Sequence, residues 1–217
     1  MELVFWDILH RWDQILTLFI NKFHNPASDQ FMIFMSERAV WFPLYALIAF
    51  FFVKRLGWKK GLIAIACMGL TLLACDQTSN LLKYSVARLR PCYSSRMIFG
   101  GLHVLETRGN FYGFFSAHAA NAFGFALCSS ILFRYDKTHT YRAYITWILI
   151  WATLLSISRI FVGKHYLGDI IVGAVIGCSY GTIIAMAARW FFARFIDKKR
   201  PAAIGTSTKD DFTTTKE

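Results

Sequence analysis

Three short stretches of this sequence gather side chains able to hold and cleave a phosphate ester. The first covers residues 83–91, opening on Lys83 and closing on Arg90-Pro91. Lys83 and Arg90 are seven residues apart, so a helix through both would present them on one face. Two fixed cations facing one way suit a phosphate. Arg offers a planar fork for two oxygens, and Lys offers a compact point charge. The second stretch is Phe115-Ser116-Ala117-His118, at the start of an apolar run. A Ser hydroxyl and backbone N–H groups at a helix N-terminus form an anion seat. A His beside them can hand a proton to a leaving oxygen near neutral pH. The third stretch runs from Ser158-Arg159 to His165 and Asp169. His165 and Asp169 stand at i and i+4, so one helical turn brings the carboxylate beside the imidazole. Asp169 would then fix the tautomer and stabilise the cation, leaving the other ring nitrogen as nucleophile. Taken singly, each stretch also fits a plainer role: a snorkelling basic flank, a polar helix cap, a His–Asp pair closing a loop.

The elements that must position these groups are read from charge and hydropathy. The chain has 217 residues, 56% of them hydrophobic and 17% charged, with 24 Lys+Arg against 13 Asp+Glu. The apolar fraction exceeds the roughly 45–50% of soluble domains, and 17% aromatic residues exclude a disordered chain. The net charge of +11 is not spread over one wet face, as a nucleic-acid binder would have it. It sits in short islands between long uncharged runs, the layout of a multi-spanning membrane protein. Those runs are 39–53, 61–75, 117–133, 143–158 and 170–188. Some fall short of the ~20 residues that cross a bilayer, and each borrows from its flanks: 31–35, the stretch to Leu82, and 190–193. Trp41, Trp58, Trp147, Trp151 and Trp190 partly match an aromatic belt. Residues 1–24 are amphipathic, and Asp7, His10, Arg11 and Asp13 make a crossing costly, so a helix lying in the interface is expected.

The fold expected is therefore all-α: a polytopic membrane helix bundle of about five spans plus an N-terminal interfacial helix. Residues 1–30 would hold that helix, 31–196 the membrane domain and 197–217 a solvated, Ser/Thr/Lys-rich tail. Basic islands at 54–60, at 134–142 and after Arg194 would share the cytoplasmic side. The 83–116 link falls on the opposite side yet is itself basic (Lys83, Arg88, Arg90, Arg96, Arg108), so those charges need another task. Five cysteines form no CxxC pair, and four lie in apolar runs, which argues against both a disulfide framework and a zinc site.

Together the three stretches place three cations, a Ser, two His and an Asp on one expected side of the membrane. The chain resembles the type 2 phosphatidic acid phosphatase superfamily, which includes bacterial undecaprenyl-diphosphate, phosphatidylglycerophosphate and lipid A phosphatases. The family pattern is Lys-x6-Arg-Pro, then Pro-Ser-Gly-His, then Ser-Arg-x5-His-x3-Asp. The first and third match at every fixed position; in the second, Phe115 replaces Pro and Ala117 replaces Gly. The resemblance implies that His165 is the nucleophile, Asp169 its orienting acid and His118 the general acid and base. It implies that Lys83, Arg90, Ser116, the Ala117 N–H and Arg159 hold phosphoryl oxygens. No cofactor or metal is expected, because carboxylates near the site are few (Asp76, Glu106, Asp169). The expected partner is a lipid phosphate or diphosphate in a bacterial inner membrane, met on the periplasmic face, with no nucleic acid involved. A lipid-to-lipid phosphotransferase and a non-enzymatic lipid-binding or transport protein stay open at this point, and the oligomeric state is not read.

Weaker features have bland readings. Gly173, Gly177 and Gly181 make a small-residue stripe for helix packing. Asp76 either partners a base or ends a span. Arg96, His103 and Arg108 either grip a second headgroup charge or lie in a solvated loop.

Overall fold

The computed structural model describes residues 2–107 and 109–197. Among these, helix dominates and the single bridge Leu89–Tyr112 is the only strand-like pairing. The helices are α1 (Glu2–Asn21), α2 (Pro26–Ser36), α3 (Phe42–Leu56), α4 (Trp58–Val86), α5 (Ser95–Phe99), α6 (Ala117–Phe133), α7 (Arg142–Phe161) and α8 (Leu167–Phe191). Four stretches are long and apolar enough to cross a membrane: Ala39–Leu56, Trp58–Val86, Arg142–Phe161 and Leu167–Ile196. Helix α6 is a shorter apolar fifth. At ~1.5 Å per residue its 17 residues reach only about 25 Å.

That short helix is the axis of the bundle, with α4, α7 and α8 packed around it. Its sequence explains why. Small residues (Ala119, Ala120, Ala122, Gly124, Ala126) let three neighbours approach, and all are buried. Helix α8 answers with its glycine stripe. A Cβ at Gly177 would lie 2.1 Å from the Ala120 carbonyl oxygen, and one at Gly181 2.4 Å from that of Gly124. Larger side chains fill the rest of the bundle, where Phe52 stacks on Phe133 at 4.3 Å and Trp41 meets Trp151 edge-on at 5.3 Å. The outward faces expose Leu47, Phe50, Leu62, Leu70, Val175 and Ile183, a surface suited to lipid.

Two expectations are corrected. Residues 31–35 do not extend the first span. They belong to α2, which stops at Ser36 because Glu37 turns extended (φ −78°, ψ 125°) and a new helix starts after Arg38. Helix α2 also runs across residue 30, where the interfacial segment was expected to end. By contrast, α4 continues through Asp76 without a break, since Asn121 of α6 donates to its carboxylate at 2.9 Å. The expected tail lies outside the described residues, apart from Asp197.

Helix α1 is more than a surface anchor. Ile8, Trp12, Ile15 and Phe19 are exposed on one side. Gln14, Thr17 and Asn21 are buried on the other. Asn21 donates to the carbonyls of Ile160 (3.0 Å) and His103 (3.0 Å) and accepts from the His103 N–H (2.8 Å), tying α1 to the end of α7 and to the long link.

Candidate active site

The ends of α4 and α7, the starts of α6 and α8, and the 87–116 link meet at one end of the bundle. The link returns on itself: Arg90 N–H donates to the Phe111 carbonyl (2.9 Å) and Gly113 N–H to that of Arg88 (2.9 Å). Cys92 N–H then bonds the Gly163 carbonyl (3.1 Å), and Ser116 N–H bonds that of Asp169 (3.0 Å). These backbone bonds bring three stretches that are distant in sequence to one point.

A cavity of about 480 Å³ opens there, and Lys83, Arg90, Ala117, His118, Arg159 and His165 all line it. Lys83 projects from the last turn of α4. Arg90 does not share its helix. The helix ends at Val86, Ala87 turns left-handed (φ 48°), and Arg90 enters from extended chain before the Pro91–Tyr93 turn. The two cations converge, then, by a loop rather than by helical phase. Arg90 Nε donates to the Tyr112 carbonyl at 3.2 Å, which fixes its direction. Gly113 leaves the room for this: a Cβ there would sit 3.0 Å from Arg90 Cγ and 3.5 Å from His165 Nδ1. Arg159 closes α7, buried, bonded to Ser36 Oγ and 3.4 Å from Glu106 Oε2.

His165 sits just ahead of α8, and Asp169 is in that helix's first turn. Their approach, Nδ1 to Oδ2, is 3.4 Å. The same Oδ2 accepts from the Tyr166 N–H at 3.1 Å, an N-terminal cap that orients the carboxylate. Burial first, then the charges of Arg90, Arg159, Lys83 and Lys164, hold the His165 imidazole well below its ordinary range. It is therefore neutral at pH 7, with a lone pair available. Ser116 is the N-cap of α6, wholly buried, its Oγ accepting from Ala119 N–H at 3.4 Å; it does not line the cavity. Ala117 and His118 do, presenting the first-turn N–H groups of α6.

A second cavity of about 290 Å³ adjoins, lined by Trp41, Phe42, Tyr45, Leu72 and Leu155 among others. It shares Ser36, Arg38 and His118 with the first, and Arg38 Nε donates to His118 Nε2 at 3.3 Å.

A sequence model of the PAP2 superfamily matches residues 60–196. A lipid A 4'-phosphatase of Bacteroides thetaiotaomicron is 35% identical over 190 residues, covering 87% of this chain and 82% of that protein. A lipid A 4'-phosphatase of Porphyromonas gingivalis is 30% identical over 190 residues, covering 86% and 77%. The chain thus belongs to the PAP2 superfamily and is a multi-spanning membrane phosphatase. The crystal structure of a transmembrane PAP2-type phosphatidylglycerolphosphate phosphatase from Bacillus subtilis superposes with a TM-score of 0.67 at 16% identity, over 87% of this chain and 89% of that one. Aquifex aeolicus LpxE gives 0.52 at 22% identity, over 79% and 93%. Both share the helical fold.

Several residues at the site escaped the sequence reading. Arg38, Ser36 and Glu37 come from the α2–α3 joint and line the cavity. Lys164 is fully buried with Nζ 3.9 Å from Glu106. Arg88 bonds Asp169 Oδ1 at 2.7 Å. Only proximity to motif residues signalled Lys164 and Arg88, and the α2–α3 joint carried no signal. His103 pairs with Asp29 at 2.9 Å and stacks on His24, away from the cavity lining, while Arg108 lies outside the described residues.

Proposed function

We propose that this phosphatase removes phosphate from a lipid A-type phosphorylated lipid through a covalent phosphohistidine on His165, without a metal ion. The observation carrying this reading is that His165, His118 and three cations from separate stretches line one cavity. His165 Nε2 attacks phosphorus while Nδ1–H stays turned to Asp169. The bond from phosphorus to the lipid oxygen breaks, and His118 gives that oxygen a proton. Water then attacks the phosphohistidine, His118 takes up its proton, and the P–N bond breaks to release inorganic phosphate. Lys83, Arg90, Arg159 and the Ala117 N–H hold the phosphoryl oxygens, and Ser116 caps the helix that presents them. Phosphoryl transfer is chiefly positioning and charge stabilisation, which these groups supply.

The donor set supports metal independence. Four cationic side chains (Arg38, Lys83, Arg90, Arg159) face two carboxylates (Glu37, Glu106), and Glu106 already neighbours Arg159 and Lys164. A hard divalent ion needs several oxygen ligands, and this lining offers few. The lipid assignment rests on the relatives' activity and on His118, which stands where the polar cavity meets the more apolar one. That is the place for an oxygen joining phosphate to lipid. Clustering of Lys54, Arg55, Lys59, Lys60, Arg134 and Lys137 at the other end supports a periplasmic site in a bacterial inner membrane.

The test is phosphate release by detergent-purified protein in EDTA, wild type beside His165→Ala. The substrates are lipid A, undecaprenyl diphosphate, phosphatidylglycerophosphate and phosphatidic acid. Release from lipid A by wild type alone is the expected result. Activity that EDTA abolishes, or that His165→Ala retains, overturns the mechanism; preference for another lipid overturns the substrate.

A further inference from the structure

Asp169 has a second partner on the side away from His165. Its Oδ1 accepts from Arg88 Nη1 at 2.7 Å. Arg88 stands two residues before Arg90 but does not line the cavity. Its other amino group, Nη2, reaches Asp13 Oδ2 of α1 at 2.5 Å and His10 Nδ1 at 3.1 Å. The guanidinium lies over the Tyr166 ring, 4.0 Å from its centroid. One planar fork thus joins two carboxylates, and a Lys point charge could not match both directions.

Helix α1 also holds the start of α8 directly. Asp13 Oδ1 accepts from Gly168 N–H at 2.8 Å, and Thr17 Oγ1, one turn on, accepts from Leu167 N–H at 3.0 Å. The first-turn N–H groups of a helix lack intrahelical partners. Here a different helix supplies them. The fit is close, since a Cβ at Gly168 would stand 2.8 Å from Asp13 Oδ2. Asp169 has no exposed side-chain surface, so its charge depends on these contacts, and its orientation on the fork.

We propose that Arg88 and Asp13 form a positioning relay that fixes Asp169, and through it His165, making α1 part of the machinery that aligns the nucleophile. The relay rests on the phosphohistidine reading above. Neither residue touches substrate. Removing them therefore slows the chemical step and leaves phosphate binding in place. The exposed apolar side of α1 would rest in the membrane surface, so seating α1 there and aligning His165 become one event.

The experiment compares Arg88→Gln, Arg88→Lys, Asp13→Asn and His165→Ala with wild type, as full-length protein in detergent. Steady-state kinetics on a phosphorylated lipid are measured with product inhibition by inorganic phosphate, which reports anion binding without bonding the nucleophile, and thermal unfolding reports folding. Arg88→Gln is expected to lower kcat about 10²-fold or more, as loss of nucleophile alignment does, with KM and inorganic phosphate affinity within about threefold. Arg88→Lys should recover part of that loss. Asp13→Asn should lose less, because its amide oxygen still meets Gly168. The relay is refuted by wild-type kcat in Arg88→Gln and Asp13→Asn. It is equally refuted if kcat and phosphate affinity fall together and Arg88→Lys is no better than Arg88→Gln. Activity in His165→Ala would sink the phosphohistidine reading itself, whereas an inactive His165→Ala beside an unimpaired Arg88→Gln sinks the relay alone.

Discussion

Gly173 offers the sharpest test of whether helix spacing sets the chemistry. It lies on α8 one turn beyond Asp169 and faces the start of α6. An alanine Cβ there would stand 2.6 Å from the Ser116 carbonyl oxygen and 3.3 Å from Ala119 Cβ, whereas ordinary contact begins at 3.4 Å. The helices must part by about 0.8 Å to admit it, since close-packed interiors leave no slack. The nearest atom is backbone, so no flexible side chain can yield instead. The displacement falls on the joint where Ser116 N–H bonds the Asp169 carbonyl at 3.0 Å. It therefore moves His165 and Asp169 away from Ala117 and His118. A misplacement near 1 Å costs on the order of 10²-fold in rate. Overpacking of this kind also costs about 1–3 kcal/mol of stability. Gly173→Ala should fold, melt a few degrees lower and lose about 10²-fold in kcat for phosphate release. Gly69→Ala is the control: it meets nothing within 4 Å, and alanine should match wild-type activity. Wild-type kcat in folded Gly173→Ala, or an equal loss in Gly69→Ala, would refute the reasoning.

Two further outcomes follow from charge. His165 is held neutral, its folded pKa well below the ordinary His value, so the unfolded chain binds this proton first as pH falls. Above about pH 6.5 the group is neutral in both states and has no effect. Below that, stability falls by up to ~1.4 kcal/mol per pH unit until the folded pKa is reached. Unfolding midpoints measured between pH 7.5 and 5 should show a shallower acid limb in His165→Gln, and an unchanged limb would contradict the buried neutral imidazole. Glu106, partly exposed, sits 3.4 Å from Arg159 and 3.9 Å from Lys164, where it competes with a bound anion. Glu106→Gln should tighten orthovanadate inhibition about 3–10-fold, a modest gain because solvent screens the carboxylate; weaker inhibition would instead make Glu106 a support for Arg159.

What the sequence made legible was whatever depends on local period or on a fixed motif. Runs of apolar residues located α3, α4, α6, α7 and α8 because a lipid environment leaves few alternatives to helix. The boundaries were poorer. Asp76 leaves two readings open, a base's partner or the end of a span, yet Asn121 satisfies it from another helix, 45 residues away in sequence. Lys83 and Arg90 do line one cavity, but not for the reason the spacing suggests. Helical phase would have aligned them, but the chain turns at Ala87 and the Arg90–Phe111 backbone bond delivers the side chain. Arg38 carried no signal as a site residue, and Lys164 and Arg88 only a weak one, because their importance comes from tertiary neighbours, and one sequence carries no record of those.

The excess of positive charge in the 83–116 link shows how composition and structure inform each other. By the topology rule, that link should be poor in bases if it lies opposite the other basic islands. The rule counts charges that face headgroups and water. Lys83 and Arg90 are buried in the cavity wall, and Arg88 is held between two carboxylates. Among the link's described bases, only Arg96 is exposed. Once those three are set aside, the link loses most of its force as a cytoplasmic signal, and the basic islands at the other end carry the larger exposed positive charge. The apparent violation thus has the same cause as the cavity: its wall gathers cations from the chain, at the end of the bundle where a phosphorylated lipid would present its phosphate.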